Sequence, residues 1–338
     1  HSTSNSNIMT TKRNSILTLL IIALITLLHQ NAAAQVDAQF TQYYAIPTYY
    51  NPAATGSTDY LRLRGGTRLQ WMGIKNAPKT FVITADMPFK FIGKRFGVGL
   101  NMQQESLGLY KNLNLAAQLS YKIKLFGGQL SAGLQIGIVN ETFKGSEVYI
   151  PDNDDYHQST DDGVPTSDLN GTALDLGIGA YYTHKYFWAS LSCQHANSPK
   201  ITFNAESGEG TNEKNYEFKA GRILYFMAGS NIPIKNTLFE VIPTVLVKSD
   251  LTFTTGEITG RLRYRKFLSI GAGYRYKDAI SVVLAAEIKN FYLGYSYDYP
   301  TSAISKASSG SHEIFAGYSL KLDLSEKNKN KHKSIRIM

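Results

Sequence analysis

From Asn112 to Leu125 the sequence reads NLNLAAQLSYKIKL, and its apolar residues fall on alternate positions. Leu113, Leu115, Ala117, Leu119, Tyr121, Ile123 and Leu125 share one face, while Asn114, Ala116, Gln118, Ser120, Lys122 and Lys124 share the other. Successive side chains of a β-strand point to opposite faces, so this pattern is a strand with one apolar and one polar side. The same alternation runs through FLSIGAGYRY, where Leu268, Ile270, Ala272, Tyr274 and Tyr276 oppose Ser269, Gly271, Gly273 and Arg275. It recurs in ISVVLAAEI (Ile280, Val282, Leu284, Ala286, Ile288) and in FYLGYSYDY (Phe291, Leu293, Tyr295, Tyr297, Tyr299).

Length gives these runs their meaning. Strands of soluble sandwiches typically span about five or six residues, whereas crossing a bilayer takes about 9–11 residues at a steep tilt. Many runs here have the longer length, and tyrosines gather towards their ends, where an aromatic girdle would sit. In lipid, only a closed barrel satisfies every strand N–H and C=O. The pattern predicts strands at 60–69, 80–88, 95–105, 112–125, 128–143, 173–183, 186–194, 218–233, 238–247, 252–264, 267–276, 279–288, 291–299 and 312–323. The expected fold is therefore all-β: a transmembrane antiparallel β-barrel of about 14 strands, preceded by an N-terminal periplasmic or plug segment.

The connections test this independently. With the N-terminus on the periplasmic side, even-numbered connections should be short; they read FKFIGK, FGG, HK, PIKN, RK and KN. The three longest, Gly145–Asn170, Gln194–Glu217 and Pro300–Ser311, are all odd-numbered. A soluble sandwich has no reason to sort its loops by parity. Pro243 interrupts the strand VIPTVLV and predicts a bulge there, because Pro cannot donate to the ladder.

At the N-terminus, Lys12 and Arg13 precede the apolar run SILTLLIIALITLL, and a small-residue site ends at Ala34. This reads as a secretory signal peptide over 1–34, with residues 1–8 outside the natural frame if Met9 is the start. The remaining expected divisions are a plug or periplasmic segment at 35–59, the barrel at 60–324, and a basic periplasmic tail at 325–338. No later run of 18 apolar residues exists, so no spanning helix is expected.

The formal net charge is +9, but it is dispersed apart from the tail, so nucleic acid is not an expected partner. Cys193 is the single cysteine, which excludes an internal disulfide and a Cys-based metal cluster. The loop Glu147–Asp168 collects Asp152, Asp154, Asp155, Asp161, Asp162 and Asp168. Such oxygen donors suit Ca²⁺, yet the spacing is not that of an EF-hand, and a solvated acidic loop explains it as well. His195 lies near Ser192, but no signature marks a hydrolase, and the Gly-x-Gly pairs in GVGLN and GIGAYY lie mid-strand with no helix to follow. No cofactor, metal or catalytic residue is expected, and the glycines read as relief of crowding on the wall.

The stretch QFTQYYAIPTYYNPAATG, Gln39–Gly56, precedes the first strand and is too aromatic for a linker and too rich in Pro for a helix. A lumen of about 14 strands is too wide for wall side chains to fill, so such a segment suits a plug. Asn51–Pro52 marks a turn that redirects it.

DAQFTQYYAIPTYYNPAATGS, RLQWMGIKNAPKTF and SHEIFAGYSL together resemble the PorP/SprF family of outer-membrane proteins of the type IX secretion system. The second element carries Arg68, Gln70, Trp71, Ala77, Pro78 and Thr80, and the family's Q-D-P opening is replaced here by VDAQ. The resemblance implies a non-enzymatic helper of protein export and gliding motility in the outer membrane of a Gram-negative bacterium. Its implied partners are the secretion ring and motor proteins, secreted cargo or a surface adhesin, and outer-membrane lipid. Gln39, Phe40, Gln42, Tyr43, Asn51, Pro52, Ala53 and Trp71 become the candidates for plug packing or partner contact. The alternative function is an outer-membrane diffusion channel or a transporter of hydrophobic solutes.

Overall fold

The structure is a computed structural model and describes residues 37–148, 167–203 and 216–324. The expected signal peptide, most of the Asp-rich loop and the basic tail lie outside the described residues.

The first seven strands are β1 (Tyr60–Leu69), β2 (Lys79–Phe91), β3 (Lys94–Leu107), β4 (Tyr110–Leu125), β5 (Gly128–Phe143), β6 (Leu169–Thr183) and β7 (Phe187–Gln194). A small hairpin follows, β8 (Lys200–Phe203) with β9 (Tyr216–Lys219). Then come β10 (Ile223–Ser230), a two-residue β11 (Ile232–Pro233), β12 (Phe239–Ser249), β13 (Thr254–Tyr264) and β14 (Leu268–Arg275). The last three are β15 (Ala279–Ile288), β16 (Phe291–Pro300) and β17 (Ser311–Lys321). Each wall strand pairs antiparallel with its sequence neighbour, β10 pairs with both β7 and β12, and β1 pairs with β17 from Tyr60↔Lys321 to Leu69↔His312. The result is a closed 14-stranded antiparallel barrel.

The alternation sorts by side as lipid requires. Leu115, Leu119 and Ile123 are 38%, 50% and 41% exposed on the outside, while their neighbours Gln118, Ser120 and Lys122 are 2%, 1% and 5% exposed. A soluble protein would bury the first set. Here the polar set is enclosed and the apolar set faces the bilayer.

The ends differ. Tight turns such as Ile92–Gly93 and Phe126–Gly127, with positive φ at both residues, join strands at one end. This is the hairpin geometry whose twist matches the flanking strands. In outer-membrane barrels the short turns face the periplasm, which places the long connections outside. The hairpin β8–β9 belongs to one of these long connections, and its Ile201 and Phe203 are buried against Val139 and Leu169 of β5 and β6. The strand expected at 218–233 is therefore three pieces: the end of this hairpin, then β10 from Ile223, then the two-residue β11.

Pro243 causes no bulge. Pairing of β10 with β12 stops after Gly229↔Thr244 and resumes in the same register at β11, Ile232↔Val241. On its other side Pro243 pairs with Gly260 of β13. The missing donor opens a gap in one ladder without inserting a residue.

Candidate functional site

The residues from Asp37 to Ser57 occupy the barrel lumen. Three short turns shape them: Tyr43–Ala45, Pro47–Tyr50 and Pro52–Ala54. Pro47 and Pro52 each open a turn, where their fixed φ is pre-set and their missing N–H has no partner to lose. Phe40, Tyr43, Tyr50 and Asn51 are all 0% exposed, so the segment is enclosed by wall on every side.

Its outer end is held by charge. Glu313 of β17 accepts from the backbone N–H of Thr41 (2.9 Å) and of Gln42 (2.8 Å). Arg68 of β1 donates to Glu313 (3.1 Å), to Asp298 of β16 (2.7 Å) and to the Thr41 hydroxyl (3.2 Å). Arg275 of β14 donates to Glu257 (2.9 Å), to Asp278 (3.0 Å) and to the same hydroxyl (3.0 Å). Thr41 Oγ1 in turn donates to Asp298 (2.8 Å), so its one donor and both lone pairs are used. Gln39 Nε2 donates to Glu257 at 3.1 Å. Arg68, Glu313, Asp298 and Arg275 are all nearly fully enclosed, so each charge depends on the others for its solvation.

A second anchor lies beside the first described residue. His195 Nδ1 faces Asp175 at 2.8 Å and its Nε2 faces Asp37 at 3.3 Å. Tyr225 donates to Asp37 (3.1 Å), and Lys248 donates to the Asp37 carbonyl. Burial pushes the His195 imidazole down, but the two carboxylates outweigh it and raise it to about 10. The same pairing holds Asp37 below the usual carboxylate range despite its burial.

Aromatic packing fills the middle. The Phe40 ring meets Tyr49 edge-on at 5.4 Å and Phe315 of β17 at 5.6 Å. Tyr50 meets Tyr225 at 5.2 Å, and its hydroxyl accepts from the Phe40 N–H at 3.1 Å. Tyr43 donates to Thr244 at 3.0 Å, while Tyr44 lies under the Arg261 guanidinium at 3.4 Å.

The inner end is held by close approach. Asn51 Nδ2 donates to Ser190 Oγ (2.7 Å), Ala180 O (2.9 Å) and Leu191 O (3.2 Å), and its Oδ1 accepts from the Ala53 N–H (2.8 Å). A methyl at Gly179 would overlap the Asn51 carboxamide, and one at Gly133 would overlap the Ala53 backbone. Gly97 likewise leaves room for the Thr55 carbonyl, and Gly294 for the Gln42 carboxamide. The chain leaves through Gly56, whose N–H donates to Asp86 at 2.7 Å. Beside Tyr49, Tyr225 and His195 lies a pocket of about 40 Å³, enough for a few water molecules.

Seven of the eight candidates, Gln39, Phe40, Gln42, Tyr43, Asn51, Pro52 and Ala53, lie in this segment. Trp71 does not: it sits in the β1–β2 loop at the far end, where its backbone N–H donates to Ser311 Oγ at 3.1 Å. Sequence reasoning missed Asp298, Arg275, Glu257, Asp37 and Asp175 as anchors, because lumen-facing charges carry no spacing signature. A signal for Arg68 and Glu313 did exist, in the elements RLQW and SHEI. Ser192 and His195 do not pair; Ser192 donates to the Tyr50 carbonyl at 2.6 Å. Asp168 forms an ion pair with Lys144 at 2.8 Å, and hydrogen bonds from Lys144 and Ser146 lower it to about 2. Among the described residues no cluster of three metal-ligating side chains occurs, and the other Asp-rich positions lie outside them.

A family model described as type IX secretion system membrane protein PorP/SprF matches residues 32–318. No curated protein matches the chain. Among solved structures the chain resembles the outer membrane protein Omp33 of Acinetobacter baumannii, at 8% identity over 78% of this chain and 97% of that one, TM-score 0.42. It also resembles the P. putida toluene transporter TodX, at 10% identity over 80% and 92%, TM-score 0.44. A Pseudomonas aeruginosa FadL homologue matches at 10% identity over 81% and 93%, TM-score 0.44. At such identities the likeness concerns the barrel fold alone.

Proposed function

The chain belongs to the PorP/SprF family of type IX secretion system membrane proteins, and on that premise we propose that it is a closed, non-enzymatic outer-membrane component of this machinery. In this reading it assists the export or surface anchoring of cargo such as adhesins, and it works beside the secretion ring and motor proteins. The observation that carries the reading is the enclosed lumen segment. Its ends are tied to β17, β16, β14, β7 and β2, and the pocket beside Tyr49, Tyr225 and His195 measures about 40 Å³. A diffusion path for solutes needs a continuous lumen, and this one is occupied along its axis. The barrel then serves as a rigid membrane-embedded platform, with loops on one side and turns on the other available to partners.

Two measurements test it together. In planar bilayers the purified protein should carry no steady ionic current. Affinity isolation from detergent-solubilised envelopes should recover secretion-ring proteins or an adhesin. A conducting barrel that purifies alone would replace this reading with that of a diffusion channel.

A further inference from the structure

The periplasmic mouth carries an unusual charge arrangement. Deep positive groups near the exit of the lumen segment are partnered: Arg62 holds Asp86 at 2.8 Å, and Lys122 donates to the Thr55 carbonyl at 2.8 Å. The outermost ring differs. Lys90, Lys124 and Lys321 are exposed and form no ion pair among the described residues, while Arg95 meets Asp59. Arg64, deeper on β1, donates to Leu63 O, Tyr318 O and Ser319 Oγ and lies over the Tyr292 ring at 5.1 Å.

Strand parity tells where these side chains point. Lys90 shares the lumen-facing set of β2 with Asp86, Thr84 and Val82; Lys124 shares that of β4 with Lys122 and Ser120. Arg95 shares that of β3 with Gly97 and Gly99, and Lys321 that of β17 with Phe315 and Glu313. They therefore border the opening rather than the lipid. Two adjoining recesses of about 590 and 560 Å³ meet at Arg95: Lys124 lines one, and Lys90 and Lys321 line the other together with Asp59 and Asp323, so cations outnumber carboxylates around the opening. Recesses of that size admit a stretch of polypeptide and exclude a folded domain. Leu324, the last described residue, lines the second recess. Like charges gathered around one opening repel, and an anionic occupant removes that cost.

We propose that this inner mouth is a docking site for an acidic, extended segment of a periplasmic protein, gripped by Lys90, Arg95, Lys124 and Lys321. Lipid headgroups are the poorer occupant, because lumen-facing side chains turn away from the bilayer. Lysines on the lipid side exist separately, as with Lys94, whose ammonium lies over the Tyr121 ring at 5.6 Å. The proposal rests on the geometry of the mouth and stands or falls apart from the secretion reading.

The test uses the full chain in nanodiscs of neutral phosphatidylcholine and a fluorescein-labelled Asp-Gly repeat peptide, with binding read by anisotropy. The wild type should bind, and binding should weaken as salt rises from about 0.05 to about 0.5 M. The triple variant K90Q/K124Q/K321Q should bind about tenfold more weakly or worse. The charge-matched variant K94Q/K266Q/K289Q should bind as the wild type does. Heat-dependent gel mobility checks that both barrels are intact. Equal losses in the two variants, or no binding by the wild type, would overturn the proposal. So would competition by phosphatidylglycerol in the nanodisc that disappears in the K90Q/K124Q/K321Q variant, since that would assign the mouth to headgroups.

Discussion

The two ends of the lumen segment are fixed by different physics. At the outer end, Thr41 and Gln42 are held by carboxylates and guanidinium groups that reach across the lumen from β1, β14, β16 and β17. At the inner end, Asn51 and Ala53 lie directly on the wall, where glycines remove the side chains that would keep them away. A charged clamp reaches far and tolerates small shifts, but it fails when one member is lost. Contact through glycine reaches nowhere, yet it fixes position through backbone atoms that cannot rotate aside. One end sets the bonding and the other sets the register.

Substitutions that disable one end at a time break this comparison. The largest effect is expected for Arg68→Ala, which strands Asp298 and Glu313 without their main counter-charge. Removing one partner of a buried ion pair costs about 3–5 kcal/mol, and urea unfolding in detergent reads it. A loss below about 1 kcal/mol would mean that water, rather than Arg68, solvates those carboxylates. Next comes Gly133→Leu, which drives a side chain into the Ala53 backbone. Overpacking costs about 1–3 kcal/mol, and the displaced segment should open a path for ions that bilayer recordings detect; a silent barrel of unchanged stability would contradict the contact.

Asn51→Ala is expected to cost about 1–3 kcal/mol, the penalty for leaving buried groups unpaired. Because it leaves the outer clamp intact, its effect should add to that of Arg68→Ala, and a strong coupling between the two would show that the ends are not independent. The smallest effect concerns pH. His195 is raised to about 10, so its contribution is complete below its unfolded value of about 6.5 and fades as pH climbs through about 10. Asp37 is lowered, so its contribution is present above about pH 4 and fades in acid. The stability gap between the wild type and His195→Ala should therefore be widest between about pH 4 and about pH 6.5, shrink as pH rises above that, and be small in strong base. A gap that stays constant through pH 10 would remove the ion pair from the account.

The wall was legible because lipid imposes a rule on every second residue. β5 at 128–143 and β15 at 279–288 begin and end where the alternation does. The lumen segment was legible as a kind of segment, through its aromatic content, but its anchors were not. Asp37 and His195 stand 158 positions apart, and nothing in either neighbourhood marks the pairing. Polar lumen positions obey only the demand to be polar, so a Glu that binds backbone amides and a Gln that meets water look alike in sequence. Gly133 and Gly179 were visible as relief of crowding, yet what crowds them comes from another part of the chain. The resemblance makes Trp71 a candidate for plug packing or partner contact through the element it shares with Arg68. Parity separates them: Arg68 is the last inward charge of β1, and Trp71 lies beyond the strand in the loop.

The β1–β17 pairing spans ten residues of β1 and has one further consequence. The lumen segment is continuous with β1 and is tied to β17 through Glu313, so it bridges the two strands whose union completes the cylinder. Glu313 thus ties the segment to β17 across the same seam that the β1–β17 ladder closes. What fills this barrel therefore also fastens it shut: a segment that leaves the lumen gives up a clasp between the first and last staves.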